Sequence, residues 1–366
     1  MMSAGAMNIG LIGLQKSGKT TIFNTLTGRS AEVSEYVSQK AQPNVAVVEV
    51  LDERVTKLAE IYRPKRTIYA TIEFVDFAGL AAGAAGQGVF SGEAMQLIKG
   101  ADALAIVARN FHDEVINQTH GEPQPSLDAE AIATELLLAD QIVAERRLER
   151  IRADLQRGKK TAALPNEEKL IERVVTHLAG GRPLRELELT ADDRKLLSGF
   201  QFLTAKPVFV VLNSSEETYG NSAETISAIE EHFPVVEFAG NFEMELGRLD
   251  DEEESAAFMA EFGIGESARR RLTTFAYRTL GYISFFTVRS NEVRAWTLPV
   301  GGTAVDAAAA VHTDLARGFI RAEVFSYDEL MEHGSEKALR AAGRLRVEGK
   351  SYIVEDGDII NVRFSV

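Results

Sequence analysis

Apolar positions along the chain fall into two rhythms. Short apolar runs over residues 8–14, 44–50, 69–76, 103–108 and 208–213 predict β-strands. The run at 103–108 has no polar break, as in a strand covered on both faces. A helix is predicted over 20–28, ending at a glycine. Strands that alternate with helices predict an α/β fold with a doubly wound, mainly parallel sheet. Between the last two strands the rhythm turns helical. Residues 127–157 set Ile132, Leu136, Ala139 and Val143 on one stripe, and Leu148, Ile151 and Leu155 continue it. Beyond Gly158 and Pro165 a second helix is expected over 167–178. Together they predict an inserted α-helical hairpin, either projecting as an arm or lying against the sheet domain. From Tyr282 onward, apolar runs at 295–300, 322–325, 351–354 and 359–364 are broken by helical stretches at 303–315 and 335–342, which predicts a compact α+β module. The expected domains are residues 1–126 with 205–281, an inserted arm over 127–204, and a C-terminal module over 282–366.

Composition narrows the function classes. A chain of 366 residues suits two or three domains, at about 150 residues each. It has no cysteine, which excludes disulfides, thiolate metal sites and thiol catalysis. No apolar run approaches the roughly 18 residues of a membrane span, so no membrane partner is expected. The first residues lack a basic segment and a cleavage site and lead into a glycine loop. They read as a strand and not a signal peptide, which makes a cytoplasmic location the expectation. The net charge of −14 argues against bulk adhesion to nucleic acid, and no specific DNA partner is expected. Against that background, Arg146, Arg147, Arg150, Arg152, Arg157, Lys159 and Lys160 form a local basic run. It is either a contact for RNA or the ribosome or a solvated helix face.

The chemistry begins at Gly13-Leu14-Gln15-Lys16-Ser17-Gly18-Lys19-Thr20, which fits G-x-x-x-x-G-K-S/T at every fixed position and lies between a strand and a helix. Glycines let the backbone curl so that its N–H groups face phosphate oxygens, and the helix N-terminus favours an anion. Lys19 is placed for the β and γ phosphates and Thr20 for Mg²⁺. Asp76-Phe77-Ala78-Gly79 closes an apolar strand as D-x-x-G. Asp76 can hold the metal, and Gly79 can offer its N–H to a γ-phosphate. Thr20 and Asp76 are therefore the metal candidates, and Lys19 and Gly79 the catalytic ones. The glycine-rich stretch after Gly79 is a natural switch segment. Leu80 stands where many GTPases carry a water-orienting glutamine, so slow turnover is expected. Asn213-Ser214-Ser215-Glu216 occupies the place of a guanine-reading N-K-x-D, but with glutamate for aspartate and no lysine. Gln15, Lys16, Ser17, Gly18, Lys19, Thr20, Thr21, Asn213, Glu216, Ala239 and Gly240 make up the expected nucleotide-binding set.

At these motifs the sequence resembles the YchF subfamily of Obg-like P-loop NTPases, over nearly its whole length. The resemblance is carried by Glu73-Phe74-Val75-Asp76-Phe77-Ala78-Gly79-Leu80, Pro43-Asn44-Val45, Leu203-Thr204-Ala205-Lys206-Pro207, Glu292-Val293-Arg294-Ala295-Trp296-Thr297 and His312-Thr313-Asp314 with Arg317-Gly318-Phe319. It implies a nucleotide domain, an inserted helical arm and a C-terminal TGS domain of β-grasp type. It also implies Mg²⁺ as cofactor, ATP preferred over GTP through the Asn213 to Glu216 element, and association with the ribosome. Three departures stand out. Gln15-Lys16-Ser17 replaces the usual Pro-Asn-Val, Lys40 stands at the switch threonine, and the neighbouring cysteine is missing. Related P-loops use the asparagine at Lys16 to recruit a monovalent cation. The Lys16 ammonium either supplies that charge itself or is solvated. The expected function is a slow regulatory ATPase of the translation machinery. A non-hydrolysing nucleotide-dependent scaffold and a GTPase of ribosome assembly are the alternatives.

Overall fold

A computed structural model describes residues 7–27, 43–77, 92–158, 164–246, 257–260, 264–289 and 291–365. Lys40, Gly79, Leu80, Lys159, Lys160 and most of the glycine-rich switch stretch lie outside them. The chain divides into two compact units: residues 8–46 with 74–268, and residues 1–7 with 47–73 and 269–366.

The elements run in chain order as β1 (Met7–Ile12), α1 (Lys19–Thr27), β2 (Asn44–Val50), α2 (Glu53–Tyr62), β3 (Arg66–Ile68), β4 (Ala70–Asp76), α3 (Gly92–Ile98), β5 (Ala103–Asn110) and α4 (Glu114–His120). Next come α5 (Pro125–Gln156), α6 (Leu164–Ala179), α7 (Ala191–Leu197), β6 (Val208–Ser214), α8 (Ala223–Glu230), β7 (Val235–Ala239) and α9 (Gly240–Leu246). The chain ends with α10 (Ala268–Thr279), β8 (Tyr282–Val288), β9 (Glu292–Pro299), α11 (Ala304–Val311), α12 (Thr313–Arg317), β10 (Phe319–Ser326), α13 (Tyr327–His333), α14 (Glu336–Ala341), β11 (Arg346–Glu348) and β12 (Asp358–Phe364).

The first sheet has the order β2-β4-β1-β5-β6-β7. β1 with β5, β5 with β6, and β6 with β7 are parallel, as the alternating pattern predicts. Its centre is apolar on both faces: β5 is buried from Ala103 through Arg109, and β6 along its whole length. Strand directions and crossovers bring the loop after β1, the end of β4 and the loops after β6 and β7 to one edge, where open α/β sheets bind ligands.

α5 is 32 residues long and serves two cores in succession. Ala129, Ile132 and Leu136 pack with the sheet residues Leu104, Ile106 and Val210. Ala144, Leu148 and Ile151 pack instead with Leu170, Ile171 and Val174 of α6. The first half of α5 thus lies against the sheet, and the second half pairs with α6. The buried stripe passes through Asp140, between Leu136 and Ala144, where an apolar residue would be expected. Its carboxylate accepts from the Leu203 N–H at 2.9 Å, the Thr204 N–H at 2.7 Å and Thr204 Oγ1 at 2.7 Å. The chain returning to β6 therefore finds partners for its buried donors in the side of α5. Burial pushes the Asp140 carboxyl above its usual range, and the bonds from Thr204 and Leu203 pull the other way. Beside it, Lys206 Nζ donates to the Lys99 carbonyl at 3.0 Å and to that of Ala101, tying down the chain that follows α3.

The second unit holds a sheet ordered β11-β10-β12-β8-β9-β3, with β8 and β9 an antiparallel hairpin and β12 parallel to β8. α11 covers one face through Ala304, Ala307 and Ala308 against Phe285, Leu298 and Ile360, which gives the expected β-grasp-type module. The helix predicted over 303–315 is divided at His312, whose φ of −168° and ψ of 139° are extended. The run at 351–354 forms only an isolated bridge between Ile353 and Thr303. The sequence places 47–73 with the nucleotide domain. In the structure these residues cluster with 269–366 because β3 pairs parallel with β9 and extends its sheet. Arg54 on α2 fastens that segment: it lies 5.2 Å over the Phe286 ring and bonds Asp52 at 2.8 Å and Asp356 at 2.7 Å.

The three bonds to Asp140 make its replacement costly. Asp140→Ala should destabilise the sheet-and-arm unit by about 2–4 kcal/mol, because buried donors lose their acceptor. The loss should appear as a lower urea midpoint, with Asp140→Asn falling distinctly less. Equal midpoints for the wild type and the alanine variant would show that the carboxylate anchors nothing.

Candidate functional site

Between β1 and α1 the chain makes a tight curl. Gly18 has a φ of 96° and Lys16 a φ of 61°, both in the left-handed region. Glycine is needed at Gly18 twice over, since a Cβ there would also lie 2.0 Å from Asn213 Nδ2. Gly13 is equally constrained, because a Cβ would come within 2.6 Å of the Val107 carbonyl on β5. The Gly18 carbonyl accepts from Ile22 N–H at 2.9 Å and so starts α1. The curl leaves its amides at a helix N-terminus, the arrangement suited to phosphate oxygens.

Lys19 is 8% exposed, a rare state for a lysine. Its ammonium donates to the carbonyls of Gly13 at 3.0 Å and Leu14 at 2.7 Å, across the mouth of the curl. Burial pushes its pKa below the ordinary lysine value, and the nearby Asp76 carboxylate opposes that shift. Thr20 is exposed in the first turn of α1, and its Oγ1 donates to Asp76 Oδ2 at 3.2 Å. Asp76 is fully buried at the end of β4. Ser17 contributes a buried Oγ with no hydrogen-bond partner among the described residues. A triphosphate and its divalent ion fit this donor set. The ammonium and the partnerless hydroxyl line the curl, and a hydroxyl–carboxylate pair waits at its exit. No group of three or more metal-ligating side chains occurs among the described residues. A divalent ion here would therefore be held by Thr20, Asp76 and phosphate oxygens, the sparse protein coordination that suits Mg²⁺.

The side of the site expected to meet a base is built around Asn213. It is buried at the end of β6, and its Nδ2 donates to the Ser17 carbonyl at 3.0 Å. Gly240, at the start of α9, approaches it from the other side: a Cβ there would lie 2.3 Å from Asn213 Oδ1. Ala239, paired in register with Ser214, gives its N–H to Glu243 Oε1 at 3.1 Å. Structure thus joins Ser17, Gly18, Lys19, Thr20, Asp76, Asn213 and Gly240 into one site. Thr21 continues α1 half-buried, and Gln15 and Lys16 lie exposed on the outer curve of the loop. Glu216 is exposed in the turn after β6 and makes no side-chain hydrogen bond or ion pair with the described residues.

Sequence reasoning missed what stiffens that turn. Asn110 Nδ2 donates to Ser214 Oγ and to Ser222 Oγ, both at 2.8 Å. Glu237 accepts from Ser214 Oγ at 2.6 Å and from the Gly220 N–H at 3.1 Å. Thr218 Oγ1 donates to the Asn110 carbonyl at 2.8 Å. These residues lie on three strands and a turn and form no linear motif, so no local signal marks them.

Comparison with known proteins bears on this site. Residues 8–138 match a family described as 50S ribosome-binding GTPase. Residues 282–365 match the family YchF-GTPase_C, described as Protein of unknown function (DUF933). The chain is 37% identical to the Ribosome-binding ATPase YchF of Pasteurella multocida over 362 residues, covering 98% of this chain and 99% of the relative. It is 36% identical to that of Bacillus subtilis over 369 residues, covering 99% and 100%. The structure of the Schizosaccharomyces pombe YchF GTPase superposes with a TM-score of 0.84 at 29% identity, covering 98% of this chain and 97% of that one.

The clamp on Asn213 makes a specific prediction. Gly240→Ala should displace the Asn213 amide from Ser17 and weaken nucleotide binding about tenfold or more, in line with loss of a buried bond plus steric shift. Adding Asn213→Ala should restore thermal stability, because the clashing oxygen is gone, without restoring affinity. Calorimetry and thermal melts of the two variants beside the wild type check both halves.

Proposed function

Because the chain belongs to the YchF family of P-loop NTPases, we propose that it is a slow, Mg²⁺-dependent ATPase that acts as a regulatory switch on the ribosome in the cytoplasm. The observation that carries the proposal is the buried Lys19 ammonium at the mouth of a glycine curl, beside the Thr20–Asp76 pair. A buried lysine held mainly by two loop carbonyls is already desolvated and oriented, so β and γ phosphates can replace those contacts with charge-assisted ones. Lys19 and, at the γ-phosphate, Gly79 are the groups we assign to hydrolysis. Thr20 and Asp76 are assigned to the metal. We assign residues 127–204 to an inserted arm and 282–366 to a TGS-type module.

The preference for ATP rests on Glu216. Its carboxylate hangs on a turn one methylene longer than a guanine-reading aspartate, and the companion lysine is absent. Ribosome association is proposed because curated relatives that span this whole chain bear the name ribosome-binding ATPase. No helix among the described residues is long and apolar enough to cross a membrane. A second reading, a nucleotide-dependent scaffold with little turnover, is favoured by Leu80 in place of a water-orienting glutamine and by Lys40 at the switch threonine. Phosphate release separates the two.

Lys19→Ala should lower MgATP affinity at least tenfold while the chain stays folded, because charge-assisted contacts of about 1.5–3 kcal/mol are lost. In calorimetric competition with Mg²⁺, ATP should displace GTP from the wild type. Tenfold tighter GTP would overturn the ATP assignment, and unchanged affinity in Lys19→Ala would overturn the phosphate assignment.

On the arm, the basic run is partly spent on internal pairs. Arg147 binds Glu167 through two bonds of 2.7 and 2.8 Å, and Arg152 binds Glu168 and Glu172. Arg146, Arg150 and Arg157 are exposed and make no such pair with the described residues. We propose these three as the ribosomal-RNA contact of the arm. Their joint replacement by glutamine should reduce co-sedimentation with ribosomes and flatten its salt dependence. Arg147→Gln should lower arm stability instead. Undiminished co-sedimentation of the triple variant rules the contact out.

A further inference from the structure

We infer that Asn110 and Glu237 are positioning residues for base selection: without touching the nucleotide, they hold the turn of Glu216 where its carboxylate meets an adenine and repels a guanine. This role rests on the proposed preference for ATP through Glu216 and adds what makes that preference possible. A carboxylate only accepts hydrogen bonds. Adenine offers it a donor, the N6 amine, where guanine carries an acceptor, O6. Guanine also has donors at N1 and N2 along the adjacent edge, so a carboxylate free to swing would bind guanine at least as well. Discrimination therefore depends on where the carboxylate is held and not on its charge.

Glu216 has no side-chain bond of its own to fix it, so its backbone must do so. It is the second residue of a turn closed by the Thr218 N–H on the Ser215 carbonyl at 3.2 Å. Three strand ends grip that turn. β5 and β6 are apolar up to Ala108 and Leu212, and polar side chains take over where the ligand edge of the sheet begins. Glu237 on β7 sets the sense of the hydrogen bonds, because its carboxylate can only accept, from Ser214 Oγ at 2.6 Å and the Gly220 N–H at 3.1 Å. Ser214 has then used its proton and accepts from Asn110 Nδ2 at 2.8 Å. The same amide donates to Ser222 Oγ at 2.8 Å, and Ser222 Oγ donates onward to the Thr218 carbonyl at 2.8 Å. Thr218 Oγ1 closes the circuit, donating to the Asn110 carbonyl at 2.8 Å and accepting from the Ser215 N–H at 2.9 Å. Every hydroxyl proton in the circuit is used once and in one direction. Ser214 and Ser222 are buried, which shields these bonds from water. The chain is thus pinned on both sides of Glu216, while the carboxylate itself stays open to a ligand. A reading group held by its neighbours before the ligand arrives loses less freedom on binding and keeps one direction.

The test is calorimetry of ATP, GTP and tripolyphosphate with Mg²⁺ on the full-length wild type, Asn110→Ala, Glu237→Ala, Glu216→Ala and Glu216→Ala/Glu237→Ala. Tripolyphosphate has no base, and its affinity should be the same in all five. The ratio of ATP to GTP affinity should fall about tenfold in Asn110→Ala and in Glu237→Ala. Part of that fall should be a gain in GTP affinity, as the released carboxylate reaches N1 and N2. The double variant should show the ratio of Glu216→Ala alone, since the brace acts through that carboxylate. Glu237→Gln keeps the size of the side chain and one accepting oxygen, so it should fold and show a smaller fall in the ratio. Lower melting temperatures with the wild-type ratio in Asn110→Ala, Glu237→Ala and Glu237→Gln would reduce the circuit to a structural brace and overturn the inference. So would a further fall in the ratio when Glu237→Ala is added to Glu216→Ala. A wild type without ATP preference, or a full preference kept in Glu216→Ala, would overturn the ATP reading itself and this role with it.

Discussion

Asn213 donates from its buried amide to the Ser17 carbonyl at 3.0 Å, and the rest of the nucleotide site is built outward from that bond. A glycine curl has many conformations to lose on folding, and one hydrogen bond contributes only about 0.5–1.5 kcal/mol net. The geometry persists because it is over-determined. Gly18 and Gly240 close on the amide from two sides, and Gly13 lies against the Val107 carbonyl of β5. With the curl held this way, Lys19 has little choice but to direct its ammonium inward. There it bears a desolvation cost that two carbonyls and Asp76 offset. Binding potential for phosphate is stored in the folded chain as an unfavourably buried cation.

A second constraint governs how the insertion is carried. α5 runs without a break from the sheet core into the arm core, and Asp140 sits where one core gives way to the other. Three bonds to Leu203 and Thr204 lock the returning chain to that point. Lys206, two residues on from Thr204, holds the carbonyls of Lys99 and Ala101 just beyond α3. The chain just after α3 and the base of the helical hairpin are thus fastened within a few residues of each other.

The C-terminal unit uses the same device in another setting. Arg54 brings a half-buried guanidinium to Asp52 and Asp356 over the Phe286 ring, and Asp356 also accepts from the Ser284 N–H at 2.8 Å. Burial would lower the arginine pKa, and the two carboxylates more than reverse it. In both units a charged side chain with several hydrogen-bond partners fastens one segment of the chain to another.

The sequence by itself determined five of the six strands of the first sheet, the phosphate loop, the helical hairpin and the family, and it missed β7. Each of these is written locally. Apolar runs between turn residues make strands, a glycine curl between strand and helix needs its residues consecutive, and a helical stripe repeats every three or four positions. Only the tertiary structure decided which far-apart residues meet. Asn213 meets the Ser17 carbonyl, and Asn110 and Glu237 brace the Glu216 turn. β3 joins β9 of the last sheet, because three residues of strand pattern cannot announce their partner. The stripe of α5 includes Asp140 because its partners return to it only after α6 and α7 have been laid down. His312 breaks a run that reads as one helix, since the polar contact that caps α12 competes with helix propensity there. Periodicity records which face of an element is buried. It does not record what buries it, because that partner is chosen by packing and hydrogen-bond satisfaction across the whole fold.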